Sequence, residues 1–148
     1  MKRVTGIGGI FFKAENPERL YAWYEKHLGL QGKPGVGAVF RSPGDGGRTV
    51  FSIFPSDTTY FQPGRSDYMI NFRVEDLDGL LEALRAEGIE IDPKREDFEY
   101  GRFAWIMDPE GNRIELWQPP PGISRRGGSH RRPGRVCRCP SWLPRCRI

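Results

Sequence analysis

A chain of 148 residues is long enough for one domain with a single hydrophobic core, and it has no apolar run long enough to cross a membrane. All 19 acidic residues lie at or before Glu115, whereas residues 123–148 contain eight arginines and no acid. The first 122 residues, with 15 basic and 19 acidic side chains, therefore carry a charge of −4. The basic character that would suggest a nucleic-acid-binding domain belongs only to the C-terminal segment.

The first apolar segment, residues 4–12, follows two basic residues, as the apolar core of a secretory signal does. The segment is short, is interrupted by glycines and leads into charged residues. We therefore expect it to form a β-strand, and we expect a cytoplasmic location for the protein.

An amphipathic helix is predicted next, because Asn16 is a good N-cap, Pro17 suits the first helical position and Gly29 suits the residue after the last turn. Its apolar side chains recur at helical spacing, and the expected buried stripe consists of Leu20, Tyr24 and Leu28. Extended segments are predicted for residues 37–41 and 49–54, with a glycine-rich turn between them.

The same pattern returns 60 residues later, which indicates two copies of one supersecondary unit. The matched pairs are Ile10 with Ile70, Phe12 with Phe72, Lys13 with Arg73, Glu15 with Glu75 and Asn16 with Asp76. In the second copy Asp76 is the expected cap of a helix that ends near Gly88. The apolar face of this helix consists of Leu77, Leu80, Leu81 and Leu84. Strands at 103–107 and 113–117, joined by the turn 108–112, complete a predicted α+β fold.

Residues 123–148 are rich in Arg, Pro, Gly, Ser and Cys and show no periodicity, so we expect them to be disordered. All three cysteines lie here, but a structural zinc site needs four ligands and only His130 is near enough to be the fourth. The segment is either a nucleic-acid-binding tail or a non-native extension, such as the out-of-frame translation of a GC-rich gene. We favour the extension, and nucleic acid is therefore not an expected partner.

Three segments, in this order, resemble the vicinal-oxygen-chelate superfamily of glyoxalases, bleomycin-resistance proteins and extradiol dioxygenases: NPERLYAWYEKHLGL, INFRVEDLDGLLEALRAEGIEI and DPEGNRIELWQP. The resemblance implies one domain over residues 4–120, made of two tandem βαβββ modules at about 4–62 and 66–120. The modules would form a curved mixed sheet around a ligand cleft, with the helices on the outer face. It also implies a homodimer that binds a small molecule.

The resemblance further implies four metal-ligand positions on the first and last strands of the modules. The opening strands offer Gly9 and Met69, the last strand of the first module offers Ser52, and that of the second offers Glu115. One carboxylate does not hold iron, nickel, manganese or zinc at cellular concentrations. We therefore expect neither a resident metal nor another cofactor.

Alternation along the strands predicts which side chains share the cleft face of the mapped positions, namely Phe11, Lys13, Met69, Asn71, Arg73 and Trp117. The resemblance adds Ser52, at a mapped position, and the run 100–105, which resembles a pocket-lining strand of the family and contributes Arg102 and Trp105. These nine are the predicted ligand-binding residues. Glu115 is the predicted catalytic residue if the protein is an enzyme. The aromatic members could instead be plain core, the cationic ones could lie in solvent, and Glu115 could pair with an arginine.

Three functions remain open at this stage. The favoured one is a metal-independent glyoxalase or bleomycin-resistance-like protein that binds a small organic molecule in an aromatic cleft, with or without catalysis. The second is a metal-dependent lyase or dioxygenase of the same superfamily. The third is nucleic-acid interaction through the basic tail.

Overall fold

The computed structural model describes residues 3–42 and 47–121, which form two helices and seven strands. The elements are β1 (Gly6–Ala14), α1 (Pro17–Leu28), β2 (Ala38–Arg41), β3 (Arg48–Pro55), β4 (Tyr68–Arg73), α2 (Leu77–Ala86), β5 (Ile91–Phe98), β6 (Gly101–Met107) and β7 (Arg113–Gln118). The predicted tail at 123–148 and the middle of the predicted turn, residues 43–46, lie outside the described residues. No helix within the described ranges is long and apolar enough to span a membrane.

The seven strands form one open mixed sheet in the order β2-β3-β1-β4-β7-β6-β5, which confirms the α+β fold class. In each module the opening strand lies parallel to the closing strand, β1 beside β3 and β4 beside β7. The two opening strands meet antiparallel, with Ile10 opposite Ile70. These are the residues that the 60-residue repeat superimposes, so the repeat corresponds to an approximate two-fold axis between the modules.

The two modules differ in their number of strands. The second has the complete βαβββ order from β4 to β7. In the described part of the first module two strands follow α1, and an isolated bridge between Lys33 and Gly37 precedes them. The first half of the sheet is therefore narrower than the second half.

Helix α1 begins and ends as its sequence predicts. The Asn16 side chain accepts a hydrogen bond from the N–H of Arg19 at 2.8 Å, and Gly29 ends the helix with a φ of 64°. The buried residue that fixes the helix on the sheet is Tyr21, whose hydroxyl accepts from the N–H of Ile53 at 2.9 Å. The predicted stripe is wrong at Leu28, which is 65% exposed because it lies at the last helical position, away from these sheet contacts.

Helix α2 packs on the same face of the sheet over the second module. Asp76 caps it by accepting from the N–H of Gly79 at 3.1 Å. The four predicted leucines are buried, and they form one hydrophobic cluster with Val74, Ala104 and Leu116. Because the helices pack on this face, the groups that the sheet can present to a ligand are expected on the opposite face.

The opposite face of the sheet carries a second, largely aromatic cluster. Its buried members are Phe11, Phe54, Phe61, Met69, Phe103 and Trp105. Five of the six come from strands, and Phe61 comes from the inter-module loop, residues 56–67, which joins β3 to β4. The loop thus folds over the face that the sequence predicts to be the cleft.

Candidate functional site

A buried carboxylate lies at the centre of this face. The Glu115 side chain is fully buried. One of its oxygens, Oε1, accepts a hydrogen bond from Asn71 Nδ2 at 2.5 Å. The other, Oε2, accepts from Trp105 Nε1 at 2.9 Å and from the hydroxyl of Tyr60. All three partners are donors, so the site is built to receive the carboxylate as a hydrogen-bond acceptor.

The strand register brings three of these residues together. Asn71 lies opposite Glu115 in the parallel β4–β7 pair, and Glu115 lies opposite Trp105 in the antiparallel β7–β6 pair. Side chains opposite each other on neighbouring strands point to the same face, so alternation is sufficient to place these three together. On the other side of Asn71 only glycine fits, because a Cβ at Gly8 would lie 2.0 Å from Asn71 Oδ1.

Tyr60 completes the site from the inter-module loop, and the sequence analysis missed it. Its ring stacks on Phe54 with centroids 5.4 Å apart and planes 5° from parallel, and it meets the Trp105 ring edge-on at 6.4 Å. The signal that could have found it is the aromatic pair Tyr60–Phe61 in an otherwise polar connection between two modules.

Arg113 fixes the loop to the sheet. Its Nη1 donates to the backbone carbonyl of Tyr60 at 2.6 Å, and its Nη2 donates to Asp92 Oδ2 at 2.7 Å. The guanidinium carbon lies 4.8 Å from the centroid of the Trp105 ring. Asp92 is the carboxylate that Arg113 contacts directly, so the arginine connects β5, β7 and the loop. It acts on Glu115 through its charge, which favours the carboxylate form.

The surroundings shift two pKa values in the same direction. Burial raises the pKa of Glu115, although the hydrogen bonds from Tyr60, Asn71 and Trp105 oppose the shift. Burial, followed by the nearby charge of Glu115, raises the pKa of Tyr60 well above its ordinary value. Tyr60 therefore remains a neutral hydroxyl that donates to Glu115.

An open cleft of about 650 Å³ borders the outer side of the loop. Tyr60 and Arg113 form part of its wall, and the remaining lining residues are Phe54, Pro55, Asp57, Thr58, Thr59, Gln62, Asp92 and Lys94. Glu115 does not line this cleft. Tyr60 therefore separates the buried carboxylate from the space that solvent and ligands can enter.

The other predicted site residues lie around this centre. Phe11 and Met69 belong to its aromatic cluster, and Ser52 is fully buried opposite Phe11. Lys13 lies at one end, 3.7 Å from Asp67 and 5.7 Å from the Phe61 ring centroid. Arg73 and Trp117 lie opposite each other at the other end of the paired strands β4 and β7. The Trp117 ring stacks on Phe103, and its indole N–H donates to the carbonyl of Tyr100 at 3.1 Å.

Arg102 does not belong to this site, which corrects the prediction. Its side chain pairs with Asp78, on α2, at 2.7 Å and with Asp97 at 3.7 Å. Arg102 and Trp105 are three residues apart on β6, so they point to opposite faces of the strand. The resemblance implies that the run 100–105 as a whole lines the cleft, whereas alternation along the strand separates Arg102 from Trp105.

The four positions that correspond to metal ligands do not fit a metal ion. Gly9 offers no side chain, and the thioether of Met69 is buried among aromatic rings. The hydroxyl of Ser52 is buried and has no hydrogen-bond partner within the described residues. Both oxygens of Glu115 already accept hydrogen bonds. In the same part of the chain no three His, Cys, Asp or Glu side chains are grouped as a metal would require.

Comparison with known proteins agrees with this architecture. The model of the Glyoxalase/Bleomycin resistance protein/Dioxygenase superfamily matches residues 6–116. A methylmalonyl-CoA epimerase from Mycobacterium tuberculosis is 20% identical with a TM-score of 0.57, over 81% of this chain and 91% of that one. A variant of the Streptomyces coelicolor methylmalonyl-CoA epimerase, in complex with 2-nitronate-propionyl-CoA, is 14% identical with a TM-score of 0.63, over 83% and 99%. No curated protein matches the sequence significantly.

Proposed function

This chain belongs to the Glyoxalase/Bleomycin resistance protein/Dioxygenase superfamily, and from that premise we propose that it binds a small organic molecule at Glu115 without a resident metal. One observation carries the proposal. In place of metal ligands, the side chains around Glu115 are neutral hydrogen-bond donors and aromatic rings. A few convergent polar groups within an apolar wall are the usual composition of a small-molecule site.

In this proposal the ligand enters through the open cleft and reaches Glu115 after the inter-module loop moves outward. The rings of Phe11, Phe54 and Trp105 then provide apolar contact area. Burial of that area supplies most of the affinity, at about 25 cal/mol for each Å² removed from water. Glu115 orients the ligand by accepting a hydrogen bond from it.

The same site can serve a binding protein or an enzyme. A sequestering protein needs only the cleft and its affinity. In an enzyme, Glu115 would act as the general base, and the rise of its pKa on burial favours this function because a base near the working pH takes up a proton more readily. The variant Glu115→Gln distinguishes a binding protein from an enzyme. In an enzyme it would abolish turnover, while the ring contacts that bind the ligand remain in both cases.

The metal-independent part of the proposal predicts that purified protein contains well under one equivalent of transition metal. We also expect no change in melting temperature after treatment with a chelator. Metal analysis by mass spectrometry checks the first result and thermal denaturation checks the second. Stoichiometric nickel, zinc, iron or manganese that disappears in Glu115→Ala would contradict the proposal.

We also propose that the protein is a homodimer. Supporting it, three large apolar side chains of the central strands, Ile7, Ile10 and Tyr68, are each more than 40% exposed. They lie on the face that carries the helices, and exposed apolar groups of this kind are typical of a subunit contact. Sedimentation equilibrium should give twice the chain mass, and Ile10→Glu should shift the protein to monomer. A monomeric wild type would exclude the dimer.

A further inference from the structure

The buried site already holds a phenol, namely the side chain of Tyr60. Two of the three donors to Glu115, Asn71 and Trp105, come from paired strands of the sheet. The third donor is the Tyr60 hydroxyl, which comes from the inter-module loop. The sheet therefore provides a carboxylate with two fixed donors, and the third position can be filled by any hydroxyl of suitable geometry.

The surroundings of the Tyr60 ring also select for shape. Phe54 lies parallel to it at 5.4 Å, and Trp105 and Phe61 meet it close to edge-on at 6.4 Å and 6.3 Å. Offset stacking and edge-to-face contacts favour a flat aromatic ring over an aliphatic group of equal size. The space that Tyr60 occupies is thus suited to a planar ring.

The charge of the site restricts the polar group of the ligand. The buried cation nearest to this space, Arg113, is already paired with Asp92. A ligand carboxylate or phosphate in place of the Tyr60 hydroxyl would therefore lie directly against the buried Glu115 carboxylate, where like charges repel. A neutral hydroxyl adds a donor and no charge. The raised pKa of Tyr60 shows that this position keeps a phenol in its neutral form.

Displacement of Tyr60 requires the inter-module loop to move outward, together with or pivoting about the buried Phe61 beside it. The residues before and after it, Thr59 and Gln62 among them, line the open cleft, so outward movement joins the cleft to the space beside Glu115. The loop is held by the hydrogen bond from Arg113 to the Tyr60 carbonyl.

We propose that the ligand is a planar ring with a neutral hydroxyl, a phenol or an enol, and that it replaces Tyr60 as the third donor to Glu115. This inference rests on the proposed function and names its ligand class. Tyr60 then competes with the ligand for the site. Removal of Tyr60 should strengthen binding, whereas removal of an ordinary ligand contact would weaken it.

The test uses p-cresol, which is the side chain of tyrosine as a free molecule, and toluene, which lacks the hydroxyl. Tyr60→Ala should bind p-cresol at least about tenfold more tightly than wild type, and at least about tenfold more tightly than it binds toluene, because a hydrogen bond to a charged acceptor is among the stronger kinds. The matched variant Phe61→Ala opens a space of similar size away from Glu115, so it should bind p-cresol no better than toluene.

Tyr60→Phe keeps the ring and removes only the competing hydroxyl, which keeps the test valid if Tyr60→Ala does not fold. It should bind p-cresol more tightly than wild type does. In both variants p-cresol should shift the indole N–H resonance of Trp105, which donates to the same oxygen, Oε2, as Tyr60. If neither variant gains affinity for p-cresol, or if Tyr60→Ala binds toluene equally well, the ligand class is wrong.

A screen of chemically diverse compounds separates this inference from the proposed function. If aliphatic or anionic compounds bind in the cleft and phenols do not, the ligand class fails and small-molecule binding stands. If no compound of any class binds the wild type or the Tyr60 variants, the proposed function fails as well.

Discussion

At the scale of single residues, the effect of replacing the buried Glu115 carboxylate depends on which of its hydrogen-bond partners can rotate to suit the new side chain. Its Oε2 accepts from Tyr60 and Trp105, and within residues 3–42 and 47–121 its Oε1 accepts from Asn71 alone. The second side-chain atom of Asn71, Oδ1, is buried and has no hydrogen-bond partner among the described residues. If the Asn71 amide turned over, it would present an acceptor in place of a donor. The site can therefore tolerate an amide at position 115.

We predict that Glu115→Gln changes the free energy of unfolding at neutral pH by less than about 1 kcal/mol. The three hydrogen bonds at position 115 can be kept, and removal of the buried charge offsets the cost of placing the Asn71 Nδ2 group where Oδ1 has no partner among the described residues. Glu115→Ala should lower it by about 3 kcal/mol or more, since three buried donors lose their acceptor at about 1–3 kcal/mol each. Denaturant unfolding of the three proteins measures both changes. Equal losses in the two variants would show that Asn71 does not turn over.

The pH dependence of the free energy of unfolding, compared between wild type and Glu115→Gln, tests the raised pKa of Glu115. Glu115 has a raised pKa in the folded protein, so the folded state binds more protons than the unfolded state between the ordinary pKa of a glutamate and the raised value. The free energy of unfolding of wild type, relative to Glu115→Gln, should therefore fall as the pH rises through this range. Taking the difference removes the contribution of the other acidic residues. A difference that increases with pH would mean that the fold stabilises the anion.

At the scale of helices, strands and loops, the sequence predicts what depends on local periodicity. Caps at Asn16 and Asp76 predict both helices, and the 60-residue repeat predicts the pairing of the two modules. Alternation predicts that Asn71 and Glu115 share a face. It cannot predict Tyr60, because a loop has no periodicity and its position depends on contacts with strands distant in sequence.

The inter-module loop is held by the buried Arg113, so we expect that substitution of this arginine increases the mobility of the loop. Arg113→Met keeps an apolar stem beside Trp105 and removes the hydrogen bond to the Tyr60 carbonyl. Amide hydrogens of residues 58–62 should then exchange at least about tenfold faster, because a hydrogen bond from a charged group contributes about 1.5–3 kcal/mol. Hydrogen-exchange mass spectrometry measures the rates.

Arg102→Met is the matched control for this experiment. It also removes an arginine that pairs with an aspartate, but Arg102 lies on the helix face and is partly exposed. Exchange in residues 58–62 should stay at the wild-type rate in this variant. If both variants, or neither, accelerate exchange there, the loop does not depend on Arg113.

At the scale of the whole molecule, the fold combines a two-fold arrangement of the backbone with an asymmetric site. The equivalent pairs are Phe11 with Ser52 in the first module and Asn71 with Glu115 in the second. The first pair is an aromatic ring beside a small hydroxyl, and the second is a hydrogen-bonded amide and carboxylate. One module thus provides an apolar wall and the other provides the polar groups, so a ligand bound between them has a defined orientation.

The last prediction concerns the basic segment beyond this fold. Strand β7 ends at Gln118 and is paired on both sides, with β4 and β6. The unpaired edges of the sheet are β2 and β5, and neither of them is a neighbour of β7, the strand from which the segment continues. We therefore expect truncation after residue 122 to change the melting temperature by less than about 2 °C, or roughly 0.5 kcal/mol for a domain of this size. Thermal denaturation of the full and truncated chains, together with p-cresol titration of each in the Tyr60→Ala background, measures the effect.

Nucleic-acid binding is compared in the same two proteins. The first 122 residues carry a charge of −4, which repels phosphate, whereas the segment beyond carries eight arginines. Any affinity for DNA should be confined to the full chain, should fall steeply with salt and should be indifferent to sequence. A large loss of melting temperature on truncation would show that the segment contributes to the fold, and salt-resistant, sequence-specific DNA binding by the full chain would favour a nucleic-acid function over the cleft.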